Sequence, residues 1–274
     1  MSVRKITPEE LTDGFERLGL EEGSQVIMHA SLKQIGDVDG GAAMVIHRLM
    51  KVIGTAGTLL MPAFTSISRH SMTHDNFTKP GCWCEGKESR HVPFIPELQP
   101  DKALGEIAHR LCSWPSSKRS RHPAYSFVST GRETDNLIRS SSLSDPLQPL
   151  KTFLRNDPLV LTIGVGFDSV FAVHLTEQHL LPSKFPNERA LTVAARGQAW
   201  VDILGVGCSN GFVNLEKQLD GTDFRQTQIG SARSCLYSMK TLSKKADELL
   251  NNDPSALSCG RAECLSCSHA SRKD

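Results

Sequence analysis

The segment from residue 25 to residue 61 constrains the fold of this chain more than any other. Gln25-Val26-Ile27-Met28 is a short apolar run of strand character, and Thr58-Leu59-Leu60-Met61 is a second, halted by Pro62. Between them Gly40-Gly41 opens a helical pattern with apolar residues at Met44, Val45, Leu49, Met50 and Ile53, and Gly54 to Gly57 turns the chain. A crossover of this length fits a parallel strand pair, and parallel pairing through a helix signals α/β architecture.

The flanking sequence extends this pattern. Thr7-Pro8-Glu9-Glu10 is a capping box that starts a helix carrying Leu11, Phe15 and Leu18, which Gly19 and Gly23 end. Leu104 to Cys112 reads as a short helix, and Tyr125-Ser126-Phe127-Val128 as a strand. Leu159 to Val165 is nearly all apolar and is expected to be a strand buried on both faces. It runs through Gly164-Val165-Gly166 and Phe167-Asp168-Ser169 into a helix with His174 and Glu177. Residues 190–206 read as one or two strands of the same core, and 229–250 as a late helix. Residues 64–100 show no periodicity and are expected to form a long loop or lid. With no repeat and no clear linker, a single domain over 1–274 is expected, ending in a cysteine-rich tail at 255–274.

Charge excludes some functions. Lys plus Arg is 31 and Asp plus Glu is 30, so a net charge of +1 gives no bulk attraction for nucleic acid or an anionic membrane. No apolar stretch approaches the roughly 18–20 residues of a bilayer span, and the N-terminus lacks a signal-peptide apolar region, so a cytoplasmic enzyme is expected. In a reducing compartment the 8 cysteines are thiols or metal ligands rather than a disulfide framework.

Several clusters carry possible chemistry. His174 and Glu177 stand three apart and share a helix face, where a carboxylate can orient an imidazole for general base work. The alternative is a surface pair without a role. Gly164-Val165-Gly166 lacks the third glycine of a dinucleotide fingerprint, no G-x-S-x-G surrounds Ser169, and no phosphate loop occurs. His29-Ala30-Ser31-Leu32 ends the first strand, a position that favours ligand contact. The basic turn Arg119-Ser120-Arg121-His122-Pro123 suits phosphate or pyrophosphate, or is simply a solvated loop. Cys259, Cys264 and Cys267 include a C-x2-C pair, as zinc sites do. The fourth ligand could be Cys208, Cys82, Cys84 or His269, and the alternative is a frayed tail of free thiols.

In series these segments resemble the aminoglycoside N3-acetyltransferase family, which uses acetyl-CoA on a fold distinct from the GNAT acetyltransferases. The resemblance lies in MHASLKQIGDVDGGAAMVIHRLMKVIGTAGTLLMPAFT (28–65), CSWPSSKRSRHPAYSFVSTG (112–131) and LVLTIGVGFDSVFAVHLTEQ (159–178), and extends over residues 7–267. It implies a mixed central β-sheet flanked by helices. It further implies His174 as general base with Glu177 beside it, and Ser31, Leu32, Arg119, Ser120, Ser126 and Phe127 along coenzyme A. The acceptor would be an aminoglycoside or another amine, reached by acidic residues drawn from Asp75, Glu85, Asp145 and Asp168. The resemblance also implies a structural zinc held by Cys208, Cys259, Cys264 and Cys267. Ser144-Asp145-Pro146-Leu147-Gln148 departs from the family's Ser-Pro-Leu-Gly, Ala30 stands where serine is common, and Val170 to Val173 replace two serines. These departures leave the acceptor amine and the oligomeric state open, with a biosynthetic acyltransferase or a zinc-dependent binding module as alternatives.

Overall fold

A computed structural model of the chain, which describes residues 4–71 and 91–268, sets the two apolar runs side by side. In chain order the elements of the first half are α1 (Pro8–Arg17), β1 (Gln25–Ala30), α2 (Leu32–Ile35), α3 (Gly41–Ile53), β2 (Thr58–Pro62), β3 (Arg69–Ser71), α4 (Gly105–Cys112), β4 (Lys118–Arg119), β5 (Phe127–Gly131) and α5 (Thr134–Arg139). Then follow α6 (Gln148–Phe153), β6 (Leu159–Ile163), α7 (His174–Leu180), β7 (Asn187–Ala194), β8 (Gly197–Leu204), α8 (Val213–Glu216), β9 (Phe224–Ile229), β10 (Ala232–Ser238), α9 (Met239–Asn252) and α10 (Leu265–Ser268).

Seven strands form a sheet in the order β4-β5-β2-β1-β6-β10-β9. β1 lies parallel to both β2 and β6, and β5 and β10 extend the sheet antiparallel on either side. The sheet is mixed, as expected. Its strands bury both faces because side chains alternate. Val26, Met28, Leu59, Met61, Leu161 and Ile163 meet Leu11, Phe15, Val45 and Leu49 of α1 and α3. Ile27, Leu60, Phe127, Val160, Cys235 and Tyr237 meet Leu150, Phe153, Leu175, Leu242 and Ala246 on the other side. Each such apolar side chain removed from water contributes about 1.5–3 kcal/mol. The capping box of α1 forms, with Glu10 N–H on Thr7 Oγ1 at 3.3 Å and Thr7 N–H on Glu10 Oε2 at 2.9 Å. α3 is entered through Gly40 at φ +77°, a left-handed conformation that costs a side chain dearly.

One expectation about the later strands holds and two others are corrected. Residues 190–206 fall in the two strands β7 and β8, and Ala190 and Ile203 pack in the same core as Ile27 and Leu60 of the main sheet; the strands pair as a hairpin and, with β3, form a separate three-stranded sheet. Only one side of that hairpin is covered, so Ala190 and Ile203 are buried while Val193 and Trp200 stand exposed. Residues 229–250 are not one helix. Ile229 ends β9, β10 pairs with β6, and α9 begins only at Met239. The run Cys235-Leu236-Tyr237 is apolar on both faces because both are covered, a pattern that periodicity cannot separate from a buried helix. The strand expected at 125–128 runs instead from Phe127 to Gly131.

Candidate active site

The chain leaves β6 through Gly164, whose φ of +62° and packing against Gln34 admit no side chain: a Cβ would sit 2.3 Å from that of Gln34. Two short turns at 167–169 and 171–173 lead to α7, which starts at His174. Spacing by three on this helix puts the two candidate side chains face to face. His174 Nδ1 lies 2.7 Å from Glu177 Oε2, and the side chains are only 1% and 3% exposed. They are therefore an interior pair, not a surface one. The direction of this contact depends on the tautomer: if Glu177 is an ionised acceptor and the imidazole is neutral, Nδ1 donates and the lone pair belongs to Nε2. Among the described residues Nε2 makes no hydrogen bond. Lys184, on the turn after α7, donates to the other oxygen, Glu177 Oε1, at 3.2 Å. The imidazole is boxed by aromatic rings, with centroids of Phe212, Phe171 and Phe185 at 4.6, 5.1 and 6.0 Å. Gly207 completes the box: a Cβ there would touch His174 Cε1 at 3.8 Å.

A second interior polar group braces this wall. Tyr125 Oη donates to Glu188 Oε2 at 2.7 Å and accepts from the Val206 N–H at 3.3 Å, while Arg69 pairs with Glu188 Oε1 at 3.4 Å. Burial pushes the Tyr125 hydroxyl above its ordinary range and Glu188 adds to this, outweighing the opposing charge of Arg69. It thus remains a phenol able to donate. Gly205 lies so close to Glu188 that a Cβ would be 2.6 Å from its carboxyl carbon. Phe64 links the two groups, its ring 5.6 Å from Tyr125 and 4.6 Å from Phe171.

The residues expected along the coenzyme divide. Ser31 and Leu32 are half-buried at the carboxyl ends of β1 and β6, where Ser31 N–H meets Ile163 O at 2.9 Å. Arg119, Ser120, Ser126 and Phe127 come together as an interior knot instead. Ser120, Ser126 and Phe127 have no exposed surface. Arg119 gives its donors to Ser126 Oγ at 3.0 Å, to Pro96 O at 3.3 Å and to the carbonyls of Leu98 and Ala63. Of the acidic candidates, Asp145 is already engaged by Lys151 Nζ at 2.6 Å and Gln178 Nε2 at 3.3 Å. Asp168 is exposed and folds back over Gly166, where a Cβ would lie 2.5 Å from its Oδ1. Asp75, Glu85, Cys82, Cys84 and His269 lie outside the described residues.

The cysteines converge. The Sγ atoms of Cys208, Cys259, Cys264 and Cys267 all lie within 4.8 Å of one another, and these cysteines form no disulfide. A tetrahedral zinc with bonds of about 2.3 Å spaces its sulfurs about 3.8 Å apart, so the donor set fits. The Cys259 N–H also points at Cys267 Sγ at 3.4 Å, a contact that favours thiolate over thiol. The tail packs hard on the segment that walls His174: a Cβ on Gly211 would lie 2.2 Å from Leu257 O. The other described cysteines, Cys112 and Cys235, are a helix thiol and a core thiol. A cleft of about 200 Å³ opens near the end of β6, lined by Gln34, Gly164, Val165, Glu216 and Arg233, but His174 does not line it.

Sequence reasoning missed Lys184, Glu188, Tyr125, Arg69 and Phe212. Lys184, Glu188, Arg69 and Phe212 sit in loops or strands with no motif, Tyr125 lies in the 112–131 segment with no role read from it, and only the fold brings them together. The Gly205-Val206-Gly207 run was the one available signal, because closely spaced glycines mark close approach of a backbone.

A twice-covered mixed sheet with an oriented imidazole beyond the carboxyl end of a parallel strand is the framework of an α/β enzyme. Comparison with known proteins narrows the class. A family model described as aminoglycoside 3-N-acetyltransferase matches residues 27–251, and the chain belongs to that family of acetyltransferases. Aminoglycoside N(3)-acetyltransferase III of Serratia marcescens is 32% identical over 190 residues, 68% of each chain. The prophage-derived aminoglycoside N(3')-acetyltransferase-like protein YokD of Bacillus subtilis is 27% identical over 254 residues, 90% of this chain and 93% of the relative. Its crystal structure superposes with a TM-score of 0.80 at 26% identity, over 91% of this chain and all of that one. The fold is also that of AAC-IIIb, solved with CoASH, at a TM-score of 0.77 and 21% identity over 91% of this chain and 97% of the other.

Proposed function

We propose that this chain transfers the acetyl group of acetyl-CoA to the 3-amino group of an aminoglycoside, with His174 as general base and Glu177 as its support, and so confers resistance. The observation that carries the reading is the interior pair whose Nδ1 meets a carboxylate while Nε2 makes no hydrogen bond among the described residues. In this reading Nε2 takes a proton from the acceptor ammonium and passes it to solvent. The freed nitrogen lone pair attacks the thioester carbonyl carbon and the C–S bond breaks. The departing thiolate takes a second proton from nitrogen, so the products are amide, free thiol and one proton. No covalent enzyme intermediate is required.

Ser31 and Leu32 would meet the coenzyme directly. Arg119, Ser120, Ser126 and Phe127 would act from behind, by holding the 63–64, 96–98 and 119–127 segments in place. Asp75, Asp145 and Asp168 are the carboxylates assigned to a cationic acceptor. Zinc is assigned to the four-cysteine cage, where it would fix the tail and, with four protein ligands, keep no open position for chemistry. One catalytic domain spans 1–274 in this reading. Among the described residues no helix is long and apolar enough to cross a membrane, and the reaction is assigned to the cytoplasm.

A second reading, acylation of a different amine, is favoured by one observation: Asp145 already has a lysine partner and so offers little free charge to a polycation. The deciding experiment is thiol release from acetyl-CoA across gentamicin-like, apramycin-like and unrelated amines. Turnover only with non-aminoglycosides sinks the resistance reading. Full turnover by His174→Ala sinks the assignment of the base.

A further inference from the structure

Glu177 is shared. Its Oε2 faces His174 Nδ1 at 2.7 Å, its Oε1 faces Lys184 Nζ at 3.2 Å, and the three side chains are 1–4% exposed. An imidazole and a carboxylate buried alone make a poor resting base. Such a pair avoids net charge by holding one proton between its members. If the imidazole keeps that proton, both ring nitrogens carry hydrogen. If the carboxylic acid keeps it and donates to Nδ1, the ring hydrogen sits on Nε2. In either form Nε2 has no lone pair to offer.

A third charge changes this. With the Lys184 ammonium on Oε1, the carboxylate is balanced, and the neutral arrangement leaves the imidazole with hydrogen on Nδ1 and a lone pair on Nε2. We propose that Lys184 is a positioning residue for the reaction: it balances the charge of Glu177 and so keeps Nε2 of His174 open to an incoming proton. This rests on the base role proposed above for His174.

The surroundings leave the trio to itself. The imidazole is ringed by Phe171, Phe185 and Phe212, and α9 packs on α7 with the apolar residues Leu242, Ala246 and Leu250 buried. Cys208, just past Gly207, is committed to the cysteine cage. Asp253, beyond α9, is the other acid that senses Lys184; it is exposed, and its own bonds from Ser255 dominate its environment. Among the described residues, Glu177 forms ion pairs only with His174 and Lys184. Lys184 is also placed by its own turn: Leu181 N–H bonds Glu177 O at 2.7 Å and Lys184 N–H bonds Leu181 O at 3.0 Å, so the ammonium returns to the helix it follows.

The test is the pH profile of kcat/KM for the wild type and for Lys184→Met, Lys184→Arg, Glu177→Gln and the Lys184→Met/Glu177→Gln double variant. Removing the ammonium should move the acid limb up by about 1–2 pH units, the usual size of one close charge. The methionine variant then loses about 5- to 50-fold at the wild-type half-point and recovers at least half of its activity about two pH units higher. Arginine keeps the limb in place. Glu177→Gln moves it down, and the double variant returns it toward the wild type. A folded methionine variant whose loss is equal at every pH, or absent, overturns the proposal. Nitrogen NMR of the imidazoles in the free enzyme reads the same change without turnover, with His174 assigned by its loss in His174→Gln. An unmoved His174 titration in Lys184→Met also overturns it. Should Lys184→Met not fold, Lys184→Gln, which also removes the charge, carries the same test: its titration must move up as well. Retained activity in His174→Ala would instead remove the base role itself, whatever Lys184 does to the titration.

Discussion

His29 and His122 are interior imidazoles that the protein must keep neutral, and this makes folding itself sensitive to acid. His29, on β1, is 7% exposed and its Nε2 has no hydrogen-bond partner among the described residues; His122 is 2% exposed, with Nδ1 accepting from the Ala124 and Tyr125 amides at 3.3 and 3.0 Å. Burial pushes both down to about 4 from 6.5, and for His122 it outweighs a nearby Leu143 carbonyl and Asp145. The folded state therefore binds fewer protons than the unfolded chain between pH 6.5 and pH 4. Their stabilising contribution is intact above pH 6.5 and is lost as pH falls toward 4. From pH 7.5 to 5.5 the linkage is about 1.4 kcal/mol for each histidine, close to 3 kcal/mol together. That window lies above most carboxylate titrations. Urea unfolding at pH 7.5, 6.5 and 5.5, with zinc held constant, should show this slope in the wild type. His29→Gln and His122→Gln should each remove about half of it, whatever they do to stability at pH 7.5. Every other titrating group is common to the variants, so a slope unchanged by both substitutions refutes the reasoning.

Three further outcomes follow from the packing. Elemental analysis of purified protein should find about one zinc per chain, and Cys264→Ser should reduce it below about 0.2 and lower Tm. Gly211→Ala, which drives a methyl into the Leu257 carbonyl, should cost about 1–3 kcal/mol, read as a Tm several degrees lower by calorimetry. Leu161→Ala, at a fully buried site of the central strand β6, should cost about 2–5 kcal/mol in urea unfolding at pH 7.5.

Local signals explain which parts of this fold were legible in the sequence. The β1–α3–β2 unit is closed by glycines and proline at its ends, and its apolar periods are unmixed, so it was readable. The His174–Glu177 contact was readable for a similar reason: a spacing of three on a helix is a short-range geometric fact. The cysteine cage was legible only as the resemblance suggested it, since nothing in the sequence separates Cys208 from Cys82 as a partner for the tail. β10 escaped because burial on both faces removes the alternation that marks a strand. Lys184 and Glu188 escaped for a different reason. A buried charge leaves no periodic trace, and its meaning depends on a partner 7 residues away in one case and 63 in the other.

The stretch from Gly205 to Phe212 serves the imidazole on one side and the cysteine cage on the other. Reagents that alkylate or oxidise Cys208 and its neighbours act one residue away from the wall of the His174 box. A slackened scaffold around His174 is then enough to lower turnover under such treatment, so thiol sensitivity by itself does not identify a catalytic thiol. By the same token, clipping or tagging the tail near Cys259 is an intervention at the wall of the His174 box, although that cysteine stands 85 residues past the imidazole in the chain.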